Sequence, residues 1–326
     1  MTMVRSLTIS VAMCTYNGSD FILEQLASLA KQKRPPDEII ICDDCSKDDT
    51  IEKIRHFEKS SKVRIKLSVN ENNLGTTKNF ETAIQKCSGD IIVLADQDDI
   101  WLPNKLQLIE REFMGNEKIG CIFSNALIVD ESLTPLNYTM WDVVGITKRK
   151  LKKLQRGHIF NSVINQFLIT GATMAFRSQF KCHISPIPAN WFHDAWISLI
   201  VSSMSQIKPL TASLILYRQH QLNQIGGRKR TLNGLLKKVL KTNRENYFQK
   251  ELARYRYAYE RLHRIGCVNN KKIEMVRNKI KHLELRQRLP RNRLARFPFV
   301  TKELLLFGYH RYSRGPEIAL QDLLFR

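Results

Sequence analysis

The sequence has 326 residues, with 52 Lys and Arg against 31 Asp and Glu, a formal net charge of +21, and 43% hydrophobic residues. This composition excludes disordered, collagen-like and low-complexity chains, and the length predicts about two domains that each bury a core. The charge is uneven, because residues 226–326 hold 26 basic and 8 acidic side chains, a net charge of +18, which leaves the first 225 residues with +3.

Short β-branched runs alternate with helix-length amphipathic segments through the first 130 residues. Strands are predicted at 7–13, 38–42, 63–69 and 91–95. Helices are predicted at 21–31, from an N-cap at Asp48 or Asp49 to about 59, at 76–86, and from Pro103 onward. This alternation predicts an α/β fold, a mostly parallel Rossmann-like sheet flanked by helices, with ligands bound beyond the carboxyl ends of its strands.

The rest of the chain changes character after Gly226-Gly227. Before that point, strands are predicted at 120–129, 172–176 and 214–217, and a helix at 194–204. After it come long charged helices such as 244–264 and 271–288. We therefore predict an α/β domain over 1–225 and a basic helical C-terminal region over 226–326.

Seven cysteines are present, none of them at metal-ligand spacing. Cys42 and Cys45 flank two aspartates and could form a redox pair, but nothing around them resembles a thioredoxin site. The odd number of cysteines and the lack of a signal-peptide apolar run predict free thiols in a reducing compartment. No stretch of 18 uncharged apolar residues is present, so we expect a cytoplasmic protein or one on the cytosolic membrane face.

Carboxylates cluster where two predicted strands end. Asp43 and Asp44 follow the second strand, and Asp96, Asp98 and Asp99 follow the fourth. Such residues often serve as helix caps and Asx-turns. A D-x-D directly after an apolar strand has another use, since hard carboxylate oxygens bind Mg²⁺ or Mn²⁺, and these ions bridge carboxylates to a diphosphate.

Four segments together carry a family resemblance: SVAMCTYNG at 10–18, DDCSKDDT at 43–50, NNLG at 72–75 with Asn79-Phe80, and ADQDDIW at 95–101. The sequence resembles the inverting glycosyltransferases of family 2, which have the GT-A fold, through most of residues 7–225. The motif ADQDDIW, with CTYNG before it and YRQH at 217–220, resembles the motifs of a bacterial branch of the family that includes rhamnosyltransferases of surface polysaccharide assembly.

The resemblance implies a nucleotide-sugar donor site. The segment around Cys14 and Tyr16 would face the base and ribose, although core packing is the alternative for Tyr16. Asp44 would accept a hydrogen bond from the imide nitrogen of uracil or thymine, and Asp96 would contact the ribose or the sugar. A small-residue turn at Gly171 would let the donor sugar approach the backbone.

The resemblance also implies a divalent cation, Mn²⁺ or Mg²⁺. Asp98 would be its principal ligand with Asp99 close by, and His220 would complete the site, unless His220 is an ordinary surface or core residue. Arg218 or the basic run 228–230 could clamp the diphosphate. The cation would neutralise the charge that develops on the leaving nucleoside diphosphate.

The general base is expected in HDAW at 193–196. Asp194 would remove the proton from the acceptor hydroxyl as this oxygen attacks the anomeric carbon, with inversion and no covalent intermediate. An N-cap on the following helix is the alternative for Asp194. The Gln-x-x-Arg-Trp motif of processive synthases is absent from the sequence, which favours transfer of a single sugar per encounter.

The expected partners follow from both parts of the chain. TDP-rhamnose is the preferred donor, on the motif resemblance alone, and UDP-sugars are the other candidates. The acceptor would be a lipid-linked saccharide. The basic rear third mixes Arg and Lys with bulky apolar residues, which suits an anionic membrane surface. It has no nucleic-acid-binding signature, so no nucleic acid is expected as a partner. We therefore expect a cytoplasmic enzyme held peripherally on the inner face of the cell membrane.

Two other classes of function fit the sequence less well. A nucleotidyltransferase would have a glycine-rich, basic phosphate loop after the first strand, which TYNG at 15–18 is not. A non-catalytic adaptor for membrane or nucleic acid would be expected to lack the acids, whereas Asp96, Asp98 and Asp194 are all present.

Overall fold

The structure is a computed structural model that describes residues 6–220 and 244–324. The chain divides into two compact units, one formed by Met1–Gly157 with Ile169–Gly227 and the other by His158–Leu168 with Arg228–Arg326. The predicted domain boundary at Gly226-Gly227 and the basic run 228–230 lie outside the described residues.

The first unit alternates strands and helices as the sequence pattern predicts. Its strands are β1 (Ile9–Thr15), β2 (Glu38–Asp43), β3 (Ile65–Val69), β4 (Ile91–Ala95), β5 (Ile100–Trp101), β6 (Ile119–Val129), β7 (Pro135–Thr139), β8 (Met174–Arg177) and β9 (Gln206–Arg218). Its helices are α1 (Ile22–Ala30), α2 (Thr50–Ser60), α3 (Thr76–Lys86), α4 (Lys105–Gly115), α5 (Met140–Val144), α6 (Lys148–Gln155), α8 (Lys181–Ile184) and α9 (His193–Met204); α7 (Ile159–Val163) belongs to the second unit.

The strands form one sheet in the order β3-β2-β1-β4-β8-β6-β9-β5, with β7 paired to β6. Strands β1 to β4 pair in parallel, which confirms the predicted α/β architecture. Strand β8 lies antiparallel between β4 and β6, and β9 returns parallel to β6. Every residue of β2 and β4 is buried, as expected for strands that are covered on both faces.

The sheet curls so that its first and last parts meet. Only residues 96–99 separate β4 from β5, yet β5 lies at the far end of the hydrogen-bonded order, antiparallel to β9. Strand β9 begins at Gln206, eight residues before the predicted start, and its carboxyl end lies alongside β5. The pairing Ile100↔Leu216 therefore brings the residues that precede Ile100 next to those that follow Leu216.

The second unit is helical. Besides α7, it contains α10 (Arg244–Ile265), α11 (Asn270–Gln287), α12 (Arg293–Leu305), α13 (Gly308–Tyr312) and α14 (Pro316–Leu324). Tyr255 Oη donates a hydrogen bond to the Ile164 carbonyl over 2.6 Å, which joins α10 to the segment after α7. A small core unites α12 to α14 around Val300, Tyr309 and Ile318. No helix in the two described ranges combines the length and the apolar character needed to cross a membrane.

Candidate active site

The carboxyl ends of three parallel strands come together at one edge of the sheet. The register pairs Thr15 with Asp43 and Met13 with Ala95, so Tyr16, Asp44 and Asp96 begin neighbouring loops. Thr15 Oγ1 donates a hydrogen bond to Asp43 Oδ2 over 2.6 Å and so joins the first two strand ends. The structure thus brings together segments that lie 80 residues apart in the sequence.

Asp44 organises the loop 72–75. Its Oδ1 accepts hydrogen bonds from Leu74 N at 2.8 Å and Asn70 Nδ2 at 2.9 Å, and its Oδ2 accepts one from Gly75 N at 2.8 Å. The NNLG motif therefore wraps around a buried carboxylate. A carboxylate has about four lone-pair positions, so one further donor, such as a base imide, can still be accommodated.

The first-strand segment presents an exposed aromatic ring. Tyr16 is 45% exposed, so its ring is not part of the core. Its backbone is held by Gln97, whose Oε1 accepts from Tyr16 N at 2.8 Å and whose Nε2 donates to Tyr16 O at 3.1 Å. This doubly bonded pair links CTYNG to the middle residue of DQD.

The cysteines at this edge are free thiols. Burial raises the pKa of the Cys14 thiol well above its usual value, and the nearby charges of Asp96 and Asp44 raise it further, so the thiol stays protonated. Cys42 and Cys45 are not joined, and Cys45 Sγ donates to the Asn70 carbonyl over 3.0 Å. These contacts favour a packing role over redox chemistry for the C-x-x-C pair.

Asp96, Asp98 and Asp194 share one site. Burial raises the pKa of the Asp96 carboxyl to about 7, and the negative charges of Asp98 and then Asp194 add to the shift, while Lys105 opposes it. The Gly171–Thr173 turn packs against β4, which leads into Asp96, and Gly171 N donates a hydrogen bond to Asp194 Oδ2 over 3.1 Å. The structure therefore unites DQDD with HDAW, although about 100 residues separate them.

His220 lies against the DQDD segment. Its Nε2 is 2.7 Å from Asp98 Oδ2, and its ring packs on Phe21 with centroids 4.7 Å apart. The antiparallel β5/β9 pairing produces this contact, since it places Arg218 beside Asp98 and Asp99. A His 122 residues away in the sequence is thus a direct neighbour of the D-x-D carboxylate.

Arg218 makes several hydrogen bonds within the protein beside Asp98. Its guanidinium is buried and donates to the Asp98 carbonyl at 3.0 Å, to the Glu131 carbonyl at 2.7 Å, and to the Glu24 carboxylate. These protein acceptors engage both terminal nitrogens and Nε. Arg218 therefore holds the backbone of Asp98 in place, and its role as a diphosphate clamp stays a prediction.

Asp194 lies in the first turn of α9, not at its N-cap. The N-cap position belongs to Phe192, and Asp194 Oδ2 accepts a hydrogen bond from Gly171 N over 3.1 Å. Gly171 begins a short 3₁₀ turn, Gly171–Thr173, and a Cβ there would lie 2.6 Å from His193 Nε2. The missing side chain at residue 171 is therefore required for the close approach of α9.

Two residues at this site carried no recognisable sequence signal. Lys105 is fully buried, donates to the Ala172 carbonyl over 3.0 Å, and lies 3.4 Å from the Trp101 ring centroid. Burial lowers its pKa, whereas the charges of Asp99 and Asp96 raise it. His193 stacks on Phe80 with centroids 4.0 Å apart, and its buried Nε2 has no hydrogen-bond partner among the described residues.

The side chains present fit a divalent cation that takes some of its ligands from the protein and the others from a bound diphosphate. Among residues 6–220 and 244–324, no group of three or more His, Cys, Asp or Glu could hold a metal ion by itself. Asp98 and His220 supply one oxygen and one nitrogen side by side, and Asp99 Oδ2 is buried without a partner in the described chain. This mixed donor set suits Mn²⁺ better than Mg²⁺, which prefers oxygen ligands.

The comparisons with known proteins agree with this arrangement of motifs. A family model described as "Glycosyl transferase family 2" matches residues 10–180, more than half of the chain. The chain belongs to glycosyl transferase family 2. The match includes DQDD and Gly171 and ends before Asp194 and His220.

Relatives of known sequence cover parts of this family 2 chain. It is 34% identical to the Escherichia coli "UDP-Glc:alpha-D-GlcNAc-diphosphoundecaprenol beta-1,3-glucosyltransferase WfgD" over 124 residues, which is 38% of this chain and 47% of that one. It is 40% identical to the Shigella flexneri "dTDP-rhamnosyl transferase RfbG" over 100 residues, 29% of this chain and 34% of that one. The chain thus spans about half or less of the length of these relatives.

Solved structures show the same fold at low sequence identity. The Staphylococcus aureus TarS 1–349 complex with UDP-GlcNAc aligns with a TM-score of 0.59 at 15% identity, covering 98% of this chain and 90% of that one. The Pyrobaculum calidifontis mannosyltransferase PcManGT, in complex with GDP-Man and Mn²⁺, aligns with a TM-score of 0.52 at 15% identity, covering 97% and 79%. These likenesses confirm the expected GT-A fold.

Proposed function

We propose that this family 2 chain transfers one sugar from a nucleoside-diphosphate donor to a saccharide acceptor, with inversion, in the assembly of a surface polysaccharide. The observation that carries the proposal is the placement of Asp96 and Asp98 at the carboxyl edge of the sheet, beside His220 and the Gly171 turn that binds Asp194. Family membership favours glycosyl transfer over nucleotidyl transfer, and the retained acids favour an enzyme over an adaptor.

Asp98 and His220 would hold the divalent cation. When bound, Mn²⁺ or Mg²⁺ supplies positive charge that stabilises the departing nucleoside diphosphate. Arg218 keeps Asp98 in position through the hydrogen bond to its carbonyl. Because Arg218, Phe21 and the pairing of β5 with β9 hold this segment from several sides, little reorganisation is needed when the donor binds.

The nucleotide would lie over the strand ends of β1 and β2. The exposed ring of Tyr16 offers a stacking surface for the base, and Cys14 lies two residues before it, in β1. Asp44 would accept the imide hydrogen through its remaining lone pair while it holds the 72–75 loop. Asp96 would contact the ribose or the sugar.

Asp194 would act as the general base. Its Oδ2 is oriented by Gly171 N and its Oδ1 by Ala195 N, at 3.1 and 2.6 Å, and each oxygen keeps a lone pair for the acceptor hydroxyl. As the acceptor oxygen attacks the anomeric carbon, the bond to the diphosphate breaks and the hydroxyl proton passes to Asp194. The turn at Gly171 would let the donor sugar approach the backbone beside Asp194.

The donor and acceptor are proposed from the relatives. The likeness to a dTDP-rhamnosyl transferase supports TDP-rhamnose, while the likeness to WfgD keeps UDP-glucose and other UDP-sugars as candidates. The name of WfgD includes a diphosphoundecaprenol-linked sugar, which supports a lipid-linked acceptor. We propose that the enzyme works in the cytoplasm, on the inner face of the cell membrane, where its basic C-terminal region meets anionic lipid.

The test is a donor screen with purified protein, Mn²⁺ and lipid-linked acceptor saccharides, read out as release of nucleoside diphosphate. Asp98→Asn and Asp194→Asn should each reduce turnover by about 10²-fold or more. Asp142→Asn is the matched control, since Asp142 belongs to the capping box of α5, where it accepts a hydrogen bond from Thr139 N over 2.8 Å. No product from any donor, or full activity in both site variants, would overturn the proposal.

Removal of the cation distinguishes the proposed metal-binding role of Asp98 from the proposed general-base role of Asp194. Chelation should abolish turnover, and added Mn²⁺ should restore it. His220→Ala should raise the Mn²⁺ concentration needed for half-maximal activity by about tenfold or more, whereas Asp194→Asn should leave that concentration unchanged. An unchanged Mn²⁺ requirement in both Asp98→Asn and His220→Ala would contradict the metal assignment.

A further inference from the structure

Helix α12 turns an apolar face toward solvent. Leu294, Phe297 and Leu305 are 85%, 62% and 73% exposed, and their spacing of three and eight residues puts them on one side of a helix. The exposed series continues beyond the helix with Leu306 and Phe307 at 62% and 57%. We name these five residues the α12 patch. Single exposed apolar residues are ordinary, but five on one short segment indicate a binding surface.

The opposite side of α12 buries a charge, which reverses the usual amphipathic arrangement. Arg296 is buried, and its guanidinium donates to the carbonyls of Pro290 at 2.6 Å, Asp322 at 2.8 Å and Arg291 at 3.0 Å. Val300 packs beside it in the small core of the unit. These bonds fix the rotation of α12 about its axis, since turning the apolar face inward would break all three and leave the carbonyls without their donors.

The patch contains a groove as well as protruding side chains. A cavity of about 530 Å³ opens on this face and is lined by Phe297, Pro298, Thr301, Lys302, Leu305 and Leu306. Its walls are mostly hydrocarbon, with Lys302 at the margin. Such a surface accommodates acyl chains better than it accommodates a polar ligand.

Cationic side chains surround the patch. Arg288, Arg291 and Arg293 precede it, Lys302 borders it and Arg311 follows it, all of them exposed. Glu303 is the only acidic residue in 285–311, and its Oε1 lies 2.6 Å from His282 Nδ1. The residues that flank the patch along the chain are therefore mostly cationic, and the exposed Glu317 of α14, which packs against α12, is paired with Arg314.

We propose that the α12 patch docks this unit on an anionic phospholipid surface, with its apolar side chains among the acyl chains and its cations at the headgroups. The inference rests on the proposed work at the membrane face and names the surface that makes the contact. A second copy of the chain is a poorer occupant, because two positive rims would repel each other. Anionic lipid satisfies both the apolar centre and the cationic rim.

The test uses the full chain and co-sedimentation with phosphatidylglycerol vesicles. The variant Leu294→Ser, Phe297→Ser, Leu305→Ser should lower the vesicle partition coefficient by about tenfold or more, because three inserted side chains are lost. The control variant Met114→Ser, Leu136→Ser, Leu285→Ser removes three exposed apolar side chains outside the patch and should bind like the original chain. Phosphatidylcholine vesicles should bind the original chain at least tenfold more weakly.

The charge contribution is tested separately. Replacing Arg291, Arg293 and Lys302 by Gln should weaken binding and flatten its salt dependence, whereas the same change at Arg256, Arg264 and Arg277 should do neither. Phe297→Trp should show a blue-shifted emission with phosphatidylglycerol vesicles only. If the patch variant does not fold, the single variants Leu294→Ser and Leu305→Ser replace it, with a partial loss of binding expected from each.

Three outcomes would overturn the inference: no vesicle binding by the original chain, equal binding by the patch and control variants, or a dimer that the patch variant converts to a monomer without change in vesicle binding. Binding of UDP and TDP, measured in solution by thermal shift, should be unaffected by the patch variant. Conversely, Asp98→Asn should bind vesicles normally. Failure of the docking surface can therefore be distinguished from failure of the proposed catalytic function.

Discussion

Gly171 and Asp194 are joined by a hydrogen bond of 3.1 Å from the backbone N–H of the glycine to the carboxylate. The bond ties the turn before β8 to the first turn of α9, and His193 in the same turn stacks on Phe80 of α3. The proposed base is therefore held by contacts from three separate segments. Its orientation depends on residue 171 having no side chain.

Gly171→Ala should damage both catalysis and packing. The new Cβ would lie 2.6 Å from His193 Nε2, closer than atoms approach without displacement, so α9 or the turn must shift. We expect a loss of about 1–3 kcal/mol in the free energy of unfolding and at least a tenfold loss of turnover. Gly115→Ala is the control, since nothing lies within 4 Å of its Cβ position. Chemical denaturation and donor turnover measure the two effects, and equal behaviour of both variants would contradict the packing argument.

Lys105→Met should leave the acidic site without its buried cation. Methionine retains most of the side-chain volume, but the bond to the Ala172 carbonyl and the contact with the Trp101 ring as a cation are both lost. We expect a destabilisation of about 3 kcal/mol and weaker donor turnover, because breaking a buried charge interaction leaves its partners uncompensated. Lys86→Met removes an exposed lysine that donates to Ser68 Oγ, and should change stability by less than about 0.5 kcal/mol. An unaltered unfolding curve for Lys105→Met would argue against this role.

Glu38 should make stability depend on pH at the other edge of the sheet. Burial alone would raise its pKa, but hydrogen bonds from Ser88 and Ser10 and the Lys66 ammonium lower the pKa to about 2, below its ordinary value of 4.5. A lowered pKa in the folded state means that Glu38 stabilises the fold above pH 4.5, and that this contribution is lost as the pH falls from 4.5 through about 2. Glu38→Gln should therefore unfold more easily than the original chain at neutral pH, and the difference should shrink on acidification. Urea unfolding over this pH range measures the effect, and a difference independent of pH would contradict it.

Asp322→Asn should destabilise the helical unit strongly. Asp322 binds Arg286 Nε at 2.6 Å and Nη2 at 2.9 Å, and also accepts from Tyr309 Oη at 2.7 Å, all in the buried interior. The substitution would leave a buried guanidinium without its counterion, and we expect a loss of about 3–5 kcal/mol. Glu317→Gln breaks the exposed pair with Arg314 and should cost less than about 1 kcal/mol. Similar unfolding midpoints for the two variants would show that the buried pair contributes little.

The arrangement of local elements was predictable, and the sheet was predictable only in part. The helix at 76–86 and the strand at 91–95 have the predicted bounds, because periodicity and β-branched runs report burial directly. The sequence did not predict β5 and β7, or the start of β9 at Gln206. These short or edge strands are formed by pairing across the sheet, so their own residues carry a weak pattern.

The residues of the candidate site were likewise predictable only in part. Asp44, Asp96 and Asp98 stand at the ends of strongly patterned strands, so their presence at one edge follows from parallel pairing. Lys105 and His193 had no such signal, because one lies within an ordinary helix and the other beside the more obvious Asp194. The hydrogen bonds of Arg218 to the Asp98 and Glu131 carbonyls had no sequence signal either, because the pairing of β5 with β9 creates them.

The α/β class, the acidic strand ends and the concentration of positive charge after residue 225 are readable from the amino-acid sequence, since composition and periodicity are local properties. The tertiary structure was needed to show that His220 contacts Asp98 and that Asp194 binds the Gly171 turn, because the curl of the sheet brings these distant segments together. It also decided which side of α12 faces solvent. Both sides of that helix carry large or charged residues, and the buried bonds of Arg296 select the apolar one for exposure.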